Sequence, residues 1–155
     1  MKELNTNLKV ASELPNYRQF AIHILLLQSF VKSSLLQVLK PYELSLEQFN
    51  VLRILRGQGD QSLNLRDIQK RMISKMSNTT RLIDKLISKG LVNRIQCPEN
   101  RRKIEVNITS KGLKQLEALD PLIDCAENSI VANLNQDELN HLNHLLSKIG
   151  GQTPD

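Results

Sequence analysis

A row of short polar and basic side chains lies on one face of a helix predicted in the middle of the chain. The row consists of Ser77, Asn78, Thr80, Arg81 and Lys85. Arginine, asparagine and hydroxyl groups are the side chains that read base edges in the major groove of DNA. Serine, threonine and asparagine are weak helix formers, so an exposed face rich in them suggests a purpose beyond solvation. The row predicts a base-reading surface, and the alternative is an ordinary solvated helix face.

A basic segment follows this helix where the sequence alternates as two β-strands do. Ile104, Val106 and Ile108 are predicted to share one face of the second strand, opposite an inner row of Leu91, Ile95 and Cys97 in the first. Residues 98–102 form a polar connection that should project into solvent. Helix followed by a two-stranded wing is the layout of a winged helix-turn-helix.

The arginines of this wing are predicted to approach DNA beside the helix. A narrow minor groove concentrates negative potential and attracts an inserted guanidinium. The expected wing contacts are Arg94, Asn100, Arg101, Arg102 and Lys103. Arg94 has two open interpretations, a phosphate contact or support of the wing. For Arg101 and Arg102 the alternative is a polar turn that only keeps the hairpin soluble.

The elements that must hold these residues follow from helical periodicity and capping signals. Apolar residues at three- and four-residue spacings predict a long helix over residues 16–39, with a surface wider than one stripe. Ser45 with Gln48 and Asn135 with Glu138 have the form of capping boxes that begin later helices. Before the reading helix, Ser74 or Ser77 is the predicted cap, and Gly90 is expected to end that helix in a left-handed conformation.

The chain divides into three predicted parts. Residues 1–15 form a flexible arm, residues 45–109 form the winged helix-turn-helix, and residues 16–44 together with 110–150 form a helical dimerisation region. Within the last part, Asp120-Pro121 should kink or restart the helix that Thr109 caps, because proline clashes inside a helix. The expected fold class is mainly α with a small two-stranded β-wing, an α+β arrangement.

The charge distribution supports a nucleic-acid partner. The 155 residues carry a net charge of +5, but Arg53 to Lys111 holds 14 Lys and Arg against 5 Asp and Glu. The rest of the chain holds 7 basic and 11 acidic residues. A basic centre with mildly acidic ends suits one face that meets phosphates, although a solvated basic face would give the same count.

Other features point away from enzymes, metals and membranes. No glycine-rich phosphate loop or nucleophile elbow is present, so no catalytic residue and no cofactor is predicted. His141 and His144 have a spacing that suits a shared metal ion, but nothing completes a site, so no metal is expected. The apolar run from Phe20 to Val31 is shorter than a bilayer requires. We expect a soluble cytoplasmic protein without a membrane partner.

With these residues in view, the segment from about Ser45 to Leu119 resembles the MarR family of bacterial transcription regulators. The resemblance rests on the runs 80–86 and 90–92, on Arg94, on the arginine pair 101–102 and on the step 108–112. Members of the family usually have aspartate before that arginine pair, where this chain has Asn100. Asparagine offers only a neutral hydrogen bond, so the wing departs from the family pattern there.

The resemblance implies a homodimeric regulator, most simply a repressor, whose first and last helices intertwine so that two winged domains read a pseudo-palindromic operator in double-stranded DNA. It also implies an effector, a small molecule or an oxidant, that changes the spacing of the two reading helices. The oxidant branch has a reactive cysteine near the N-terminus, which this chain lacks. We therefore expect a small-molecule effector or none. A winged-helix adaptor that binds an acidic protein remains the alternative function.

Overall fold

Helices and a small antiparallel sheet make up the computed structural model. The structure describes residues 14–59, 61–74, 78–97 and 100–149, and for residues 96, 97 and 100–104 it describes the backbone without the side chains. The helices are α1 (Asn16–Leu39), α2 (Leu46–Arg56), α3 (Leu65–Arg71), α4 (Thr79–Ser88), α5 (Ser110–Ile130) and α6 (Gln136–Ser147), with a 3-10 turn at Lys40–Tyr42. The strands are β1 (Leu63–Asn64), β2 (Val92–Cys97) and β3 (Asn100–Ile108). This arrangement confirms the predicted fold class.

Side-chain caps begin most of the helices where the sequence predicts them. Ser45 with Gln48 and Asn135 with Glu138 form complete capping boxes at the starts of α2 and α6. The Thr109 hydroxyl accepts a hydrogen bond from the Gly112 amide at the start of α5. In each case the side chain satisfies an amide that the first helical turn leaves without a partner.

The end of α4 determines which face of β2 is buried. Gly90 has φ of +71°, its amide bonds to the Ile87 carbonyl, and the Leu91 amide bonds to the Leu86 carbonyl. These two bonds form a Schellman motif, in which the residue after the glycine packs back on the helix. Leu91 is therefore buried as part of the helix end, and the alternation of β2 begins at Val92.

The predicted inner row of the wing is wrong for this reason. Val92 pairs with Ile108 and Arg94 with Val106, so Val92 and Arg94 share the face of the apolar residues of β3. Ile95 pairs with Glu105 on the opposite face and is 41% exposed. The side chain of Cys97, the third member of the predicted row, lies outside the described part of the chain.

The sheet also contains a strand that the sequence did not predict. β1 pairs antiparallel with β3, so the strand order is β1-β3-β2 and the hairpin gains a third member. The Ser62 hydroxyl donates a hydrogen bond of 2.5 Å to the Glu105 carboxylate beside this pairing. The wing is consequently joined to the segment that leads directly into α3.

α5 passes through Pro121 as one helix, so the predicted restart at Asp120-Pro121 is not observed. Leu116, Leu119 and Ile123 form a buried stripe that spans the proline. Proline removes one helical hydrogen bond and costs roughly 3 kcal/mol inside a helix. Packing of the stripe on both sides of Pro121 stabilises the helical path despite that cost.

Close packing joins α5 to the wing at Gly112. A Cβ placed on Gly112 would clash with the Leu91 carbonyl oxygen and would lie 2.7 Å from Cγ1 of Ile108. A residue with any side chain would push the helix away from the sheet. Residues 45–109, which we call the reading lobe after the role predicted from the sequence, are thus seated directly on the start of α5.

α1 has two differently packed halves. Leu35 and Leu39 near its end are buried in the common core, whereas Tyr17, Phe20 and Leu25 near its start are exposed. Within the described residues, the stretch Asn16–Tyr42 is the one that is long and apolar enough to cross a membrane by length and composition alone. It is longer than the run weighed in the sequence, and a single helix that meets this test is weak evidence for a membrane span.

Candidate nucleic-acid interface

α4 presents the predicted reading row to solvent because its opposite face is anchored in the core. Thr79, Ile83 and Leu86 are buried. Thr80, Arg81 and Lys85 are exposed on the other side of the same helix, as the sequence predicts. Ser77 lies outside the described residues. The helix therefore displays one hydroxyl and two cations along its outer surface.

Asn78 begins α4 rather than standing in its first turn. Its side-chain oxygen accepts a hydrogen bond of 3.1 Å from the Arg81 amide. The predicted cap at Ser74 or Ser77 is therefore wrong. The side-chain oxygen of Asn78 is committed to the backbone, whereas an adenine contact needs both the oxygen and the amide group. Its NH2 group and the second lone pair of the oxygen remain to meet a base.

Arg94 joins the wing to α4. Its Nη2 donates to Asp84 Oδ1 at 2.5 Å, and the two side chains are 36% and 52% exposed. Of the two interpretations left open by the sequence, this contact is the one in which Arg94 supports the wing. The guanidinium carries five N–H donors, so further donors remain for a phosphate. The pairing also gives Asp84, the acidic residue on the outer surface of α4, a positively charged partner. Its carboxylate is therefore not an isolated negative charge.

The remaining wing residues lie on β3, which begins at Asn100 and so includes residues that were predicted to form a connecting loop. Asn100 pairs with Cys97, and the pairing is irregular between Gln96 and Cys97. Arg101, Arg102 and Lys103 follow in the same strand. Their side chains lie outside the described part of the structure, so their contact with DNA stays a prediction.

Contacts at the far end of α4 fix the helix on its support. Lys89 Nζ donates to the Glu43 carbonyl at 2.9 Å and to the Glu43 carboxylate at 3.3 Å. Lys111 Nζ donates to the Lys89 carbonyl at 2.7 Å, and the Thr109 hydroxyl donates to the Gly90 carbonyl at 2.8 Å. Cations near a helix C-terminus offset its partial negative charge. α4 is thus held at its capped start, along its buried face and at its end.

A cavity of about 440 Å³ lies between α1, α2 and α5. Its walls are mainly apolar, and its lining includes Gln28, Lys32, Asn50, Arg53 and Glu127, two of them basic and one acidic. Arg53 lies over the ring of Phe49, with 5.7 Å between the guanidinium carbon and the ring centroid. Ile73, from the segment that leads to α4, also contributes to the lining. Its volume and lining are typical of a site for a small organic molecule.

Among the described residues no group of three or more His, Cys, Asp or Glu side chains is placed to hold a metal ion. His141 and His144, the pair weighed in the sequence, are both exposed on α6. A supported outer helix beside a sheet wing defines the class of winged helix-turn-helix DNA-binding proteins.

Comparison with known proteins agrees with that class. The model of the MarR family matches residues 44–104. The crystal structure of a MarR transcription factor from Planctomyces limnophilus is 30% identical and superposes with a TM-score of 0.69, over 86% of this chain and 97% of the other. A cysteine-to-serine variant of MarR from Escherichia coli, complexed with operator DNA, is 26% identical with a TM-score of 0.74, over 82% and 90% of the two chains.

A curated relative, the HTH-type transcriptional repressor IacR from Pseudomonas putida, is 26% identical over 73% of this chain, and the chain spans 66% of the length of that relative. The chain belongs to the MarR family. It is a transcription regulator and not an enzyme.

Proposed function

We propose that this chain is a homodimeric repressor that binds a pseudo-palindromic operator in double-stranded DNA and acts in the cytoplasm. In this proposal Ser77, Asn78, Thr80, Arg81 and Lys85 enter the major groove. The wing residues Arg94, Asn100, Arg101, Arg102 and Lys103 contact the neighbouring backbone and minor groove. Residues 45–109 read DNA, and residues 16–44 with 110–150 hold the two copies together.

The observation that carries the proposal is the way α4 is displayed. Its inner face is buried, its start is capped by Asn78, and its far end is bonded to Glu43. Thr80, Arg81 and Lys85 stand on the free face, where no described element covers them. Recognition requires side chains held on a rigid element, and a reading helix must lie on the surface to enter a groove.

The roles within the row follow from each side chain's remaining donors. Arg81 is exposed and has a guanidinium fork that matches two acceptors of guanine. Thr80 and Lys85 suit a shorter base contact and a phosphate, respectively. Asn78 is less free to turn toward a base, because its oxygen already accepts the bond that caps the helix. Arg81 is therefore the residue that should contribute most to sequence preference.

Support for a homodimer comes from apolar side chains that one chain leaves uncovered. Leu122, Leu134, Leu142, Leu145 and Ile149 are exposed on or beside α5 and α6, and α6 has no buried residue. An exposed apolar surface spread over several helices indicates an interface. A second copy placed on these helices would carry a second reading helix, as a pseudo-palindromic operator requires.

Support for a small-molecule effector comes from the cavity between α1, α2 and α5. Its apolar walls suit an aromatic body, and Lys32 and Arg53 suit an anionic group on the same molecule. Ile73 ties the cavity to the segment just before the Asn78 cap. An occupant that displaced Ile73 would bias the start of α4 and so weaken operator binding.

Selection of bound fragments from genomic DNA by the purified protein tests the function. We expect one inverted-repeat sequence to be enriched, and we expect repression of a reporter that carries it. Arg81→Ala should lose the enrichment, whereas Arg18→Ala, which removes the same charge from exposed α1, should keep it. A protein that binds all fragments alike, or that retains an acidic protein instead, would identify the adaptor and exclude the regulator described above.

The effector part has its own test. Sodium benzoate is the probe, because it is a small aromatic carboxylate. Release of a labelled operator should require less benzoate in the wild type than in Arg53→Gln, which keeps the polar group but removes the cation. Equal release curves for the two proteins would exclude Arg53 as the anion partner.

A further inference from the structure

Arg56 and Asp120 form a two-bond contact between the reading lobe and α5. Arg56 is the last residue of α2, and Asp120 lies in the middle of α5. Nη1 of Arg56 donates to Oδ2 of Asp120 at 2.5 Å, and Nη2 donates to Oδ1 at 3.0 Å. The planar fork of arginine fits a carboxylate in one orientation only, so such a pair fixes an angle as well as a distance.

The pair lies at a weak point of the helix. Asp120 directly precedes Pro121, which has no amide hydrogen to donate to the Glu117 carbonyl. Before the proline, α5 packs on the reading lobe, with Gly112 against Leu91. After the proline, Glu127 lines the cavity together with residues of α1 and α2. The contact therefore lies directly before the proline, on the half of α5 that carries the reading lobe.

Electrostatics keep both partners charged without making the pair a large source of stability. The hydrogen bond from Arg56 lowers the pKa of Asp120 below its usual value, and Arg53 nearby adds to the effect. The same bond raises the pKa of Arg56. The side chains are 34% and 40% exposed, and pairs of this kind contribute roughly 0.2–1 kcal/mol to folding. The two-bond contact is therefore better explained by the orientation that it imposes on the reading lobe and α5 than by its contribution to folding stability.

We propose that Arg56 and Asp120 are positioning residues that set the angle of the reading lobe on α5, and through it the separation of the two reading helices. The inference rests on the proposed dimeric DNA binding. In a dimer each lobe is carried by its own α5, so a small rotation of the lobe about the Arg56–Asp120 contact becomes a larger displacement at α4. The affinity for a single half-site does not depend on that displacement. The affinity for an operator does, because its two half-sites have a fixed spacing.

The test compares binding to a full operator with binding to one half-site. Asp120→Asn keeps the size of the side chain but removes its charge, and Arg56→Lys keeps the charge but removes the fork. We expect each to weaken full-operator binding by about five- to tenfold, the range of a moderate coupling between sites. Half-site affinity should stay within about twofold, and the preference among operators with one or two base pairs added or removed should flatten. The reversed pair, Arg56→Asp with Asp120→Arg, should recover part of the loss.

Asp124→Asn is the matched control, because it removes the same charge from an exposed position of the same helix. It should behave as wild type in every assay. If Asp120→Asn and Arg56→Lys match this control on all operators, the inference is wrong. An equal loss on half-site and full operator would also overturn it, since the pair would then act on the lobe itself. If the wild-type protein itself binds the operator no better than other DNA, the proposed function on which the inference rests is overturned instead.

Discussion

The reading lobe and the flanking helices differ in how they bury their apolar side chains. In the lobe, Leu52, Ile68, Ile83 and Val106 are all fully buried. On the flanks, Leu25 is 64% exposed, and α6 buries no residue at all. The lobe is complete within one chain, whereas the flanking helices have apolar faces that one chain leaves without a partner. Folding of the lobe and pairing of the flanks should therefore respond to different substitutions.

Helix capping distinguishes the two flanking helices α1 and α6 from each other. α6 begins with a full capping box although none of its residues is buried, so its sequence specifies the helix locally and leaves its packing to another surface. α1 begins after Pro15 without any side-chain cap. A side-chain cap stabilises a helix by about 1 kcal/mol, and α1 lacks that contribution. The stability of α1 therefore depends more on the packing of its apolar face.

The largest expected effect is on operator affinity, and it tests whether two copies can be kept from dimerising while each chain still folds. Leu142→Glu combined with Leu145→Glu places charges on the exposed apolar face of α6 and should prevent dimerisation. Loss of two-site binding should reduce operator affinity by about a hundredfold or more. The mass found by sedimentation should fall from about twice the 17.7 kDa chain mass in the wild type to the monomer mass in the variant. The circular dichroism of the variant should stay that of a folded protein.

Asn140→Glu provides the matched control, because it adds a charge to the same helix at a polar, exposed position. It should remain a dimer. A wild type that sediments as a monomer at low micromolar concentration would contradict the whole distinction between lobe and flanks.

The next effect concerns the joint between the two regions. Gly112→Ala should destabilise the protein by about 1–3 kcal/mol, because the added methyl group meets the Leu91 carbonyl and Ile108. Denaturant unfolding measures this value. Gly57→Ala is the control, since that glycine has φ of −64°, and we expect it to be neutral or stabilising by about 0.4–1 kcal/mol. Equal midpoints for the two variants would show that Gly112 is not closely packed.

Within the lobe, Arg81→Ala should cost about 1–3 kcal/mol for each half-site and relax the preference at one or two base positions. The stability of the protein should not change, because Arg81 is exposed. Titration against the operator, a half-site mutant and random DNA gives the measurement. Equal weakening on all three DNAs would assign Arg81 to the phosphate backbone instead.

Arg101→Ala should act on charge more than on sequence. We expect weaker binding to many sequences, and we expect the slope of log affinity against log salt to be smaller by about one unit for each phosphate that the variant chain no longer neutralises. Titrations at several salt concentrations provide the slope. A variant that keeps the wild-type slope but loses discrimination between base pairs would reverse the roles assigned to helix and wing.

The smallest effect concerns acid. Arg56 lowers the pKa of Asp120, so the pair stabilises the folded state above the unfolded pKa of about 3.9. That contribution is lost as pH falls through the lower, folded pKa. The difference in unfolding free energy between wild type and Asp120→Asn should thus be present at pH 6 and shrink below about pH 4. A difference that stays constant under strongly acidic conditions would mean that the charge of Asp120 is irrelevant.

Local signals in the sequence predicted much of this structure. The caps at Ser45, Thr109 and Asn135 and the left-handed Gly90 are all present, because each depends on residues within one turn. The exposed positions of Thr80, Arg81 and Lys85 follow from the period of one helix.

Features that depend on contacts between elements were not predicted. β1 has two residues, too few for a period, and exists because β3 lies beside it. The bond between Arg94 and Asp84 depends on which face of β2 meets α4, and that face was assigned wrongly because Leu91 belongs to the helix end. The continuation of α5 through Pro121 likewise depends on a stripe packed on other elements.

The short strand β1 has a further consequence, for solubility. An unpaired strand edge is a template on which other chains can add and aggregate. β1 covers part of the β3 edge and itself extends for only two residues, Leu63 and Asn64, before α3 begins. The capping bond from the Asp67 amide to the Asn64 side chain ends the strand abruptly. β1 itself therefore offers a foreign strand almost no free backbone, so sheet extension has no template at Leu63 and Asn64.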